Sequence, residues 1–513
     1  MRKLRYILFL SMLSGALSGV RAQDNPAPPA AGETLPIGQE SSSADGPVLP
    51  LVTDNPPLSG IDLPSLEPHA APLSYIQPGA TISESADSNV ANEPGGGSIR
   101  SVTRAVGSVT MERQWSHYDL ALDYFGGAAY YNLNGIGWKT LQQMDLDQKI
   151  RWKRGQLSLR DSFSYLPEGT FGGAYGSQGS QGIESLGTTA FGGFWGGSSL
   201  GSLGLAPRIL NVSVADVSEN LTAKSALTGA VGYAFMHFYG NDVSSGAPFI
   251  GSSQLSMQVG YDRQLSMGTQ VALVYGYQGF DFSVFGTAFH SHVIQGLYGR
   301  RISGRLDLLL GAGPQFTHTE VACTIADALT GNRHCTLNPN GQAVGSIPDF
   351  RVGVAAQARL RYKFPRTSLE LRYDRFETSG SGLFAGAQSD IVSFSASRPL
   401  SREWKGTIDL GYSRNDRLQS LSNAQLNTCG NNFGNTGQGL CPGIDANTYS
   451  YGFAGAALQR ALGRNWHGFV SYQFNELAFD HSYCGGLSIC SRIGNRHVAT
   501  VGLDWTPRPI RID

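Results

Sequence analysis

Between about residue 115 and residue 506 one pattern repeats along the chain, and it admits very few folds. A strand ends on an aromatic or basic residue, a turn of two to five residues follows, and another long strand leaves. Tyr261-Asp262-Arg263-Gln264-Leu265-Ser266 and Tyr298-Gly299-Arg300-Arg301-Ile302-Ser303 are two instances. In 404–412, Trp404, Gly406, Ile408, Leu410 and Tyr412 fall on one face, and Lys405, Thr407, Asp409 and Gly411 on the other. That period of two is the signature of a strand with two different faces. The segments run about 10–16 residues, whereas ordinary strands average about five or six and a tilted membrane strand needs about 9–11. A soluble sandwich would use shorter strands and would not sort its loops by length. The expected fold is all-β, an antiparallel up-and-down transmembrane β-barrel.

Sixteen strands are expected. The first eight are 116–131, 142–152, 156–165, 207–216, 222–238, 252–262, 268–282 and 289–300. The second eight are 304–320, 349–363, 366–379, 388–398, 403–416, 447–460, 465–480 and 494–506. An even count places both ends on the short-turn side, as closure in this class requires. Segment 101–112 also alternates, and if it joins the sheet the count becomes eighteen with one partner still to be found.

Three features agree on which side is which. The long connections 166–206, 321–348, 417–446 and 481–493 fall at alternate positions. All six cysteines lie in those loops as local pairs: Cys323 with Cys335, Cys429 with Cys441, and Cys484 with Cys490. In an exported chain such pairs read as disulfides rather than a metal site, which would show CxxC or histidines at ligand spacing. Trp115, Trp152, Trp404, Trp466 and Trp505 sit near the short-turn ends, the placement of an interfacial aromatic girdle.

The chain ahead of the barrel has a different character. Arg2, Lys3 and Arg5 precede an apolar stretch from Tyr6 to Leu13, and Val20-Arg21-Ala22 fits a small-x-small cleavage site. Residues 1–22 are therefore expected to be a signal peptide. Residues 23–100 hold 13 of the 24 prolines and ten acids against Arg100 alone. Such a stretch buries too little to offset its ordering entropy and is expected to be a disordered periplasmic segment, a spacer or tether with a small plug as the alternative, and the barrel is expected to occupy 101–513. No later stretch is apolar for 18 residues, which excludes a helical membrane protein. The mild positive excess after residue 100 is not a basic stripe, so no nucleic acid is expected as partner.

A barrel of this size is too wide for side chains alone to fill, so its polar faces line a lumen. Arg351, Arg359, Arg361 and Lys363 share the inner face with Glu370, Arg372 and Asp374 of the next strand. Pairing through Phe364-Pro365 would set Arg359 near Glu370 in one of the two possible registers. Those residues are the expected pore-lining set, either orienting solutes or bracing the wall by ion pairs. Loop 166–206 interleaves glycine with Phe171, Tyr175, Phe191, Phe194 and Trp195, and is the expected constriction loop if it folds inward. Its Gly197-Ser198-Ser199-Leu200-Gly201 matches G-x-S-x-G only formally, in a Gly/Ser tract with no strand-to-helix turn. His290 and His292 share a strand face without a third ligand, which makes them rim histidines. No catalytic residue, cofactor or metal is expected, and the chain does not read as an enzyme.

Units such as Ser397-Arg398-Pro399-Leu400-Ser401-Arg402-Glu403-Trp404 ahead of Leu410-Gly411-Tyr412-Ser413-Arg414-Asn415-Asp416, after a Pro-rich leader, carry a resemblance. Over 115–506 the chain resembles the large outer-membrane barrels grouped as porin-like proteins. The resemblance implies an outer-membrane location, with the N-terminal segment and C-terminus periplasmic. It implies contact with outer-membrane lipid, lipopolysaccharide and the barrel-assembly machinery. It also implies passage of small hydrophilic solutes or export of polysaccharide. The alternative is a non-conducting barrel whose disulfide-pinned loops serve as an adhesin or interaction surface. These barrels usually end on an aromatic. Here Trp505 has the right parity, but Thr-Pro-Arg-Pro-Ile-Arg-Ile-Asp follows, so either the tail is a periplasmic extension or the last strand lies elsewhere.

Overall fold

The structure is a computed structural model. It describes residues 58–59, 74–90, 97–133, 136–168, 205–239, 250–282, 287–323, 325–330, 334–339, 341, 343–364, 366–382, 384–418, 447–480 and 493–512. The expected signal peptide and the Phe171–Trp195 stretch lie outside these residues. So do two of the three expected disulfides, Cys429 with Cys441 and Cys484 with Cys490.

Eighteen antiparallel strands close into one barrel. The first half is β1 (Tyr75–Asp87), β2 (Arg100–Gln114), β3 (Tyr118–Tyr131), β4 (Gly137–Trp152), β5 (Gly155–Glu168), β6 (Leu205–Thr222), β7 (Ser225–Phe238), β8 (Ser252–Ser266) and β9 (Thr269–Phe282). After β10 (Thr287–Ser303) and β11 (Leu306–Ala322) comes a long connection containing helix α1 (Ile325–Leu329) and a small hairpin, β12 (Thr336–Leu337) and β13 (Ala343–Val344). The ring then resumes with β14 (Ser346–Lys363), β15 (Ser368–Thr378), β16 (Ala387–Pro399), β17 (Trp404–Arg417), β18 (Thr448–Ala461), β19 (Trp466–Phe479) and β20 (Ile493–Trp505).

All sixteen expected strands are present, and 101–112 is indeed a strand, β2. The missed partner is β1, so the count is eighteen and the barrel begins at Tyr75 rather than at 101. That corrects the reading of 75–87 as part of a disordered segment. The physical reason is that β1 hides its alternation. Over 81–87 its inner face is Thr81, Ser83, Ser85 and Asp87, and along the whole strand its outer face carries only two large apolar residues, Ile76 and Ile82. Composition therefore outweighed period.

The seam that closes the ring explains why β1 is held. It pairs with β2 along its whole length and with β20 from Ala80 to Asp87. Inside the seam Arg496 donates from Nε to both oxygens of Asp87 at 3.0 Å, with both side chains 1% exposed or less. Ser85 Oγ bonds Thr500 Oγ1 at 2.9 Å and accepts from Arg104 Nη1 at 2.6 Å, and Thr81 Oγ1 donates to Asp504 Oδ1 at 2.6 Å. A short polar face on β1 is thus matched by a polar face on each neighbour.

The two faces of the wall differ as a lipid boundary requires. Val259, Leu273 and Val470 point outward and are 55%, 61% and 58% exposed, whereas the inward Ser256 and Gln278 are 1% and 0%. Strands of 13–14 residues at about 3.3 Å per residue, tilted by about 40°, rise about 33 Å, enough for the hydrocarbon layer. At the short-turn ends Trp115, Trp152, Trp404 and Trp466 lie exposed, and Trp466 is paired with Trp505. These outward aromatics form the expected girdle. This is the architecture of a closed, antiparallel β-barrel of the transmembrane type.

The last strand ends at Trp505 as expected, and the tail after it is not loose. Ile510–Arg511 (β21) pairs with Tyr75 and Ile76 of β1, and Gln77 Nε2 donates to Pro507 O at 2.9 Å. The prolines at 507 and 509 interrupt the ladder without releasing the chain. In the β11–β14 connection, Cys323 and Cys335 form the first expected disulfide, with Cα atoms 5.6 Å apart.

Candidate functional site

The inner face of β14 and β15 gathers most of the charges expected there. Arg361 lies opposite Glu370, with Nε 3.2 Å from Oε2. Arg372 Nε donates to Asp374 Oδ2 at 2.5 Å on the same strand. Arg359 lies opposite Arg372, so of the two expected registers the one that sets Arg359 directly opposite Glu370 is not formed, and Glu370 lies two residues away along the partner strand. A two-residue Phe364-Pro365 turn would have set that pair. The real turn is longer: Phe364 N–H donates to Thr367 O at 2.7 Å and Lys363 pairs with Ser368. Lys363 stands exposed at the strand end. Arg351 faces the same way but lies opposite Thr317, eight residues up the strand, about 26 Å from the cluster at 3.3 Å per residue. It does not belong to the same constellation.

A second charged wall escaped the sequence reading. The inner faces of β2 to β6 carry Glu112, Asp119, Asp123, Asp145, Asp147 and Asp216, with Lys149, Arg151 and Arg160 among them. Arg160 bridges two strands, with Nε 3.7 Å from Asp147 Oδ1 and Nη2 3.8 Å from Asp216 Oδ1. Lys149 Nζ is 4.0 Å from Asp147 Oδ2, Arg151 pairs with Asp119, and Thr110 Oγ1 donates to Asp123 Oδ1 at 3.0 Å. Around the ring β4 and β15 are nine strands apart in either direction. The carboxylate-rich wall therefore faces the guanidinium-rich wall across the barrel.

An inward connection also lies where the sequence reading did not look. Residues 379–386, between β15 and β16, turn into the barrel. Gly380, Gly382 and Gly386 take φ of 77°, 80° and 89°, which glycine alone adopts without strain. A Cβ at Gly382 would meet the ring of Phe238 at 2.6 Å, and one at Gly386 the ring of Phe289 at 2.5 Å. Phe384, 1% exposed, packs edge-on against Tyr449 with centroids 4.9 Å apart, under the Arg417 guanidinium at 4.4 Å. Ile250 N–H donates to Gly382 O at 2.8 Å, and Tyr449 Oη to Gly380 O at 3.3 Å. Ile250, Phe280, Phe282, Phe289, Ala385 and Leu418 complete an apolar cluster. The connection thus touches β7 to β10 on one side and β17 and β18 on the other. A Gly-Ser-Gly-Leu-Phe-Ala-Gly run between two strands was the available signal. The expected constriction residues Phe171, Tyr175, Phe191, Phe194 and Trp195 fall outside the described residues.

The histidines lie on the outer face near the long-connection rim. His290 stacks with His318 at 5.2 Å, and Tyr275 Oη bonds His292 Nδ1 at 2.8 Å. Among the described residues no group of His, Cys, Asp and Glu could hold a metal ion. Of the cysteines, Cys323 and Cys335 are bridged at this rim, while Cys429, Cys441, Cys484 and Cys490 belong to connections outside the described residues.

No protein-family model and no curated protein matches the chain. Among solved structures it is similar to OccK2 of Pseudomonas aeruginosa in complex with glucuronate, at TM-score 0.39 and 10% identity, over 84% of this chain and 98% of that one. It is similar to OccAB1 of Acinetobacter baumannii at TM-score 0.38 and 8% identity, over 85% and 97%. The ferric-catecholate import receptor Fiu of E. coli in its open form gives TM-score 0.35 and 9% identity, over 84% and 81%.

Proposed function

We propose that the chain is an outer-membrane channel for small hydrophilic solutes, with both strand ends at β1 and β20 in the periplasm. The observation that carries the reading is the pair of opposed walls, carboxylates on β2 to β6 and guanidinium groups on β14 and β15. A barrel of eighteen strands is wide enough to leave water between such walls. Opposite charges across a water-filled passage orient dipolar and charged solutes and tune selectivity. The inward connection 379–386 supports small solutes over a bulky polymer, because an aromatic cluster braced on both sides narrows the long-connection end. An adhesin has no use for a loop turned inward, so the loop-display reading is the weaker one. Lipid, lipopolysaccharide and the assembly machinery are the partners this role entails.

The test is single-channel conductance of residues 23–513 refolded into a planar bilayer, with reversal potential read in a salt gradient. Discrete steps whose selectivity changes when Arg359 and Arg361 become Glu support the channel. Silence from folded, inserted protein would overturn it.

A further inference from the structure

The inner wall of β7 to β10 is occupied, and its occupant is part of this chain. Ser59, 2% exposed, has each of its polar groups engaged by side chains of the wall. Its backbone N–H donates to Asp262 Oδ1 at 3.1 Å, and its hydroxyl donates to Asp262 Oδ2. Its hydroxyl also lies 2.5 Å from Thr228 Oγ1, and its carbonyl accepts from Gln258 Nε2 at 2.6 Å and from Thr228 Oγ1 at 3.2 Å. Leu58 packs on Ala272, Val274 and Leu297 from the next two strands.

The wall is shaped to receive this pair. A Cβ at Gly299 would meet Leu58 Cδ2 at 2.7 Å, and one at Gly260 would strike Ser59, its Oγ at 2.7 Å. Both glycines face inward, so side chains there would fill the space that Leu58 and Ser59 take. Asp262 and Thr228 lie in the half of the wall toward the short turns, and Gln258 at the middle of β8. β8 is also placed between the two charged walls around the ring.

We propose that the inner wall between β7 and β10 is a docking site for the chain's own N-terminal segment, entered by Leu58 and Ser59. The site reads an apolar side chain followed by a hydroxyl, with one backbone donor and one backbone acceptor between them. Seated there, Leu58 and Ser59 are lumenal occupants, and they take up room on the inner wall between the two charged walls. The docking stands without the channel reading; its effect on passage rests on that reading.

The experiment uses the full mature chain with Ser59→Cys and Thr228→Cys, because their oxygens already sit 2.5 Å apart. Mild oxidation of membrane-inserted protein, followed by digestion and mass spectrometry, reads whether the two positions are joined. Heat-dependent gel mobility reports that the barrel is folded. The expected result is an intrachain 59–228 link, lost when Gly260→Val is added to fill the seat. Free, maleimide-reactive thiols in folded protein would overturn the proposal, as would a dimer-sized product, which would assign the seat to a second copy. Conductance of the same protein before and after reduction then reads the consequence: larger steps on reduction are expected. A joined chain with unchanged steps would overturn the effect on passage. A silent bilayer with the link formed would fault the channel and leave the docking standing.

Discussion

The two charged walls use the same kind of strand and end differently. On the acidic side Asp147 and Arg160 are 3% and 12% exposed; on the basic side Arg361 and Glu370 are 30% and 33%. A buried ion pair carries a large desolvation cost that only close partners offset, so its members are committed to each other. A half-exposed pair is screened and exchanges readily with solutes. On the proposed channel reading the Asp147–Arg160 pair is chiefly bracing, and the Arg361–Glu370 pair is the one open to passing anions. The residues of the basic wall allow either role in sequence, and the difference in exposure between these two pairs supports assigning them different roles.

Breaking the acidic wall should produce the largest effect. Asp147→Ala leaves Arg160 and Lys149 short of a partner, and removal of one member of a buried pair costs about 3–5 kcal/mol. Urea titration of the folded barrel should show that loss, and a change below ~1 kcal/mol would place Asp147 among the solute-facing groups instead. Next is the outer surface as a reference. Val259→Arg puts a charge against lipid, at a cost of about 2–4 kcal/mol if it lies near the midplane.

Arg361→Ala should change stability by less than ~1 kcal/mol, because its pair with Glu370 is half-exposed. Its reversal potential should nevertheless move toward cations, and an unmoved potential would return this wall to a bracing role. The smallest effect expected on either wall comes from replacing Cys323 and Cys335 with Ser. The disulfide closes a connection of 12 residues outside the ring, so conductance and selectivity should stay at wild-type values while proteolysis between β11 and β14 speeds up.

Much of the fold was legible because lipid imposes a strict alternation. Every strand with a run of Val, Leu, Tyr or Ile on one side announced itself, and Trp404 and Trp466 marked the short-turn end. β1 stayed hidden, since serines, threonine and alanine alternate too quietly to stand out from a Pro-rich surrounding. Of the site, the composition of the basic wall was legible and its register was not. A four-residue turn and a two-residue turn through Phe364-Pro365 differ by two positions, and nothing in the residues themselves chooses between them. The three glycines of 379–386 read equally well as an outward loop.

By itself the sequence determined which residues face lipid and which face inward, because solvation acts on each side chain where it stands. It also determined the short-turn side and the local pairing of Cys323 with Cys335. Only the tertiary structure decided what faces what across the barrel. The number of strands sets the exact opposition: β4 and β15 stand nine strands apart in either direction in the ring of eighteen, against nine and seven in a ring of sixteen. Closure likewise decided the partners of Asp87, Ser59 and Phe384. Each meets residues far along the chain, Arg496, Asp262 and Tyr449, and such contacts depend on the curvature of the whole ring rather than on any local pattern.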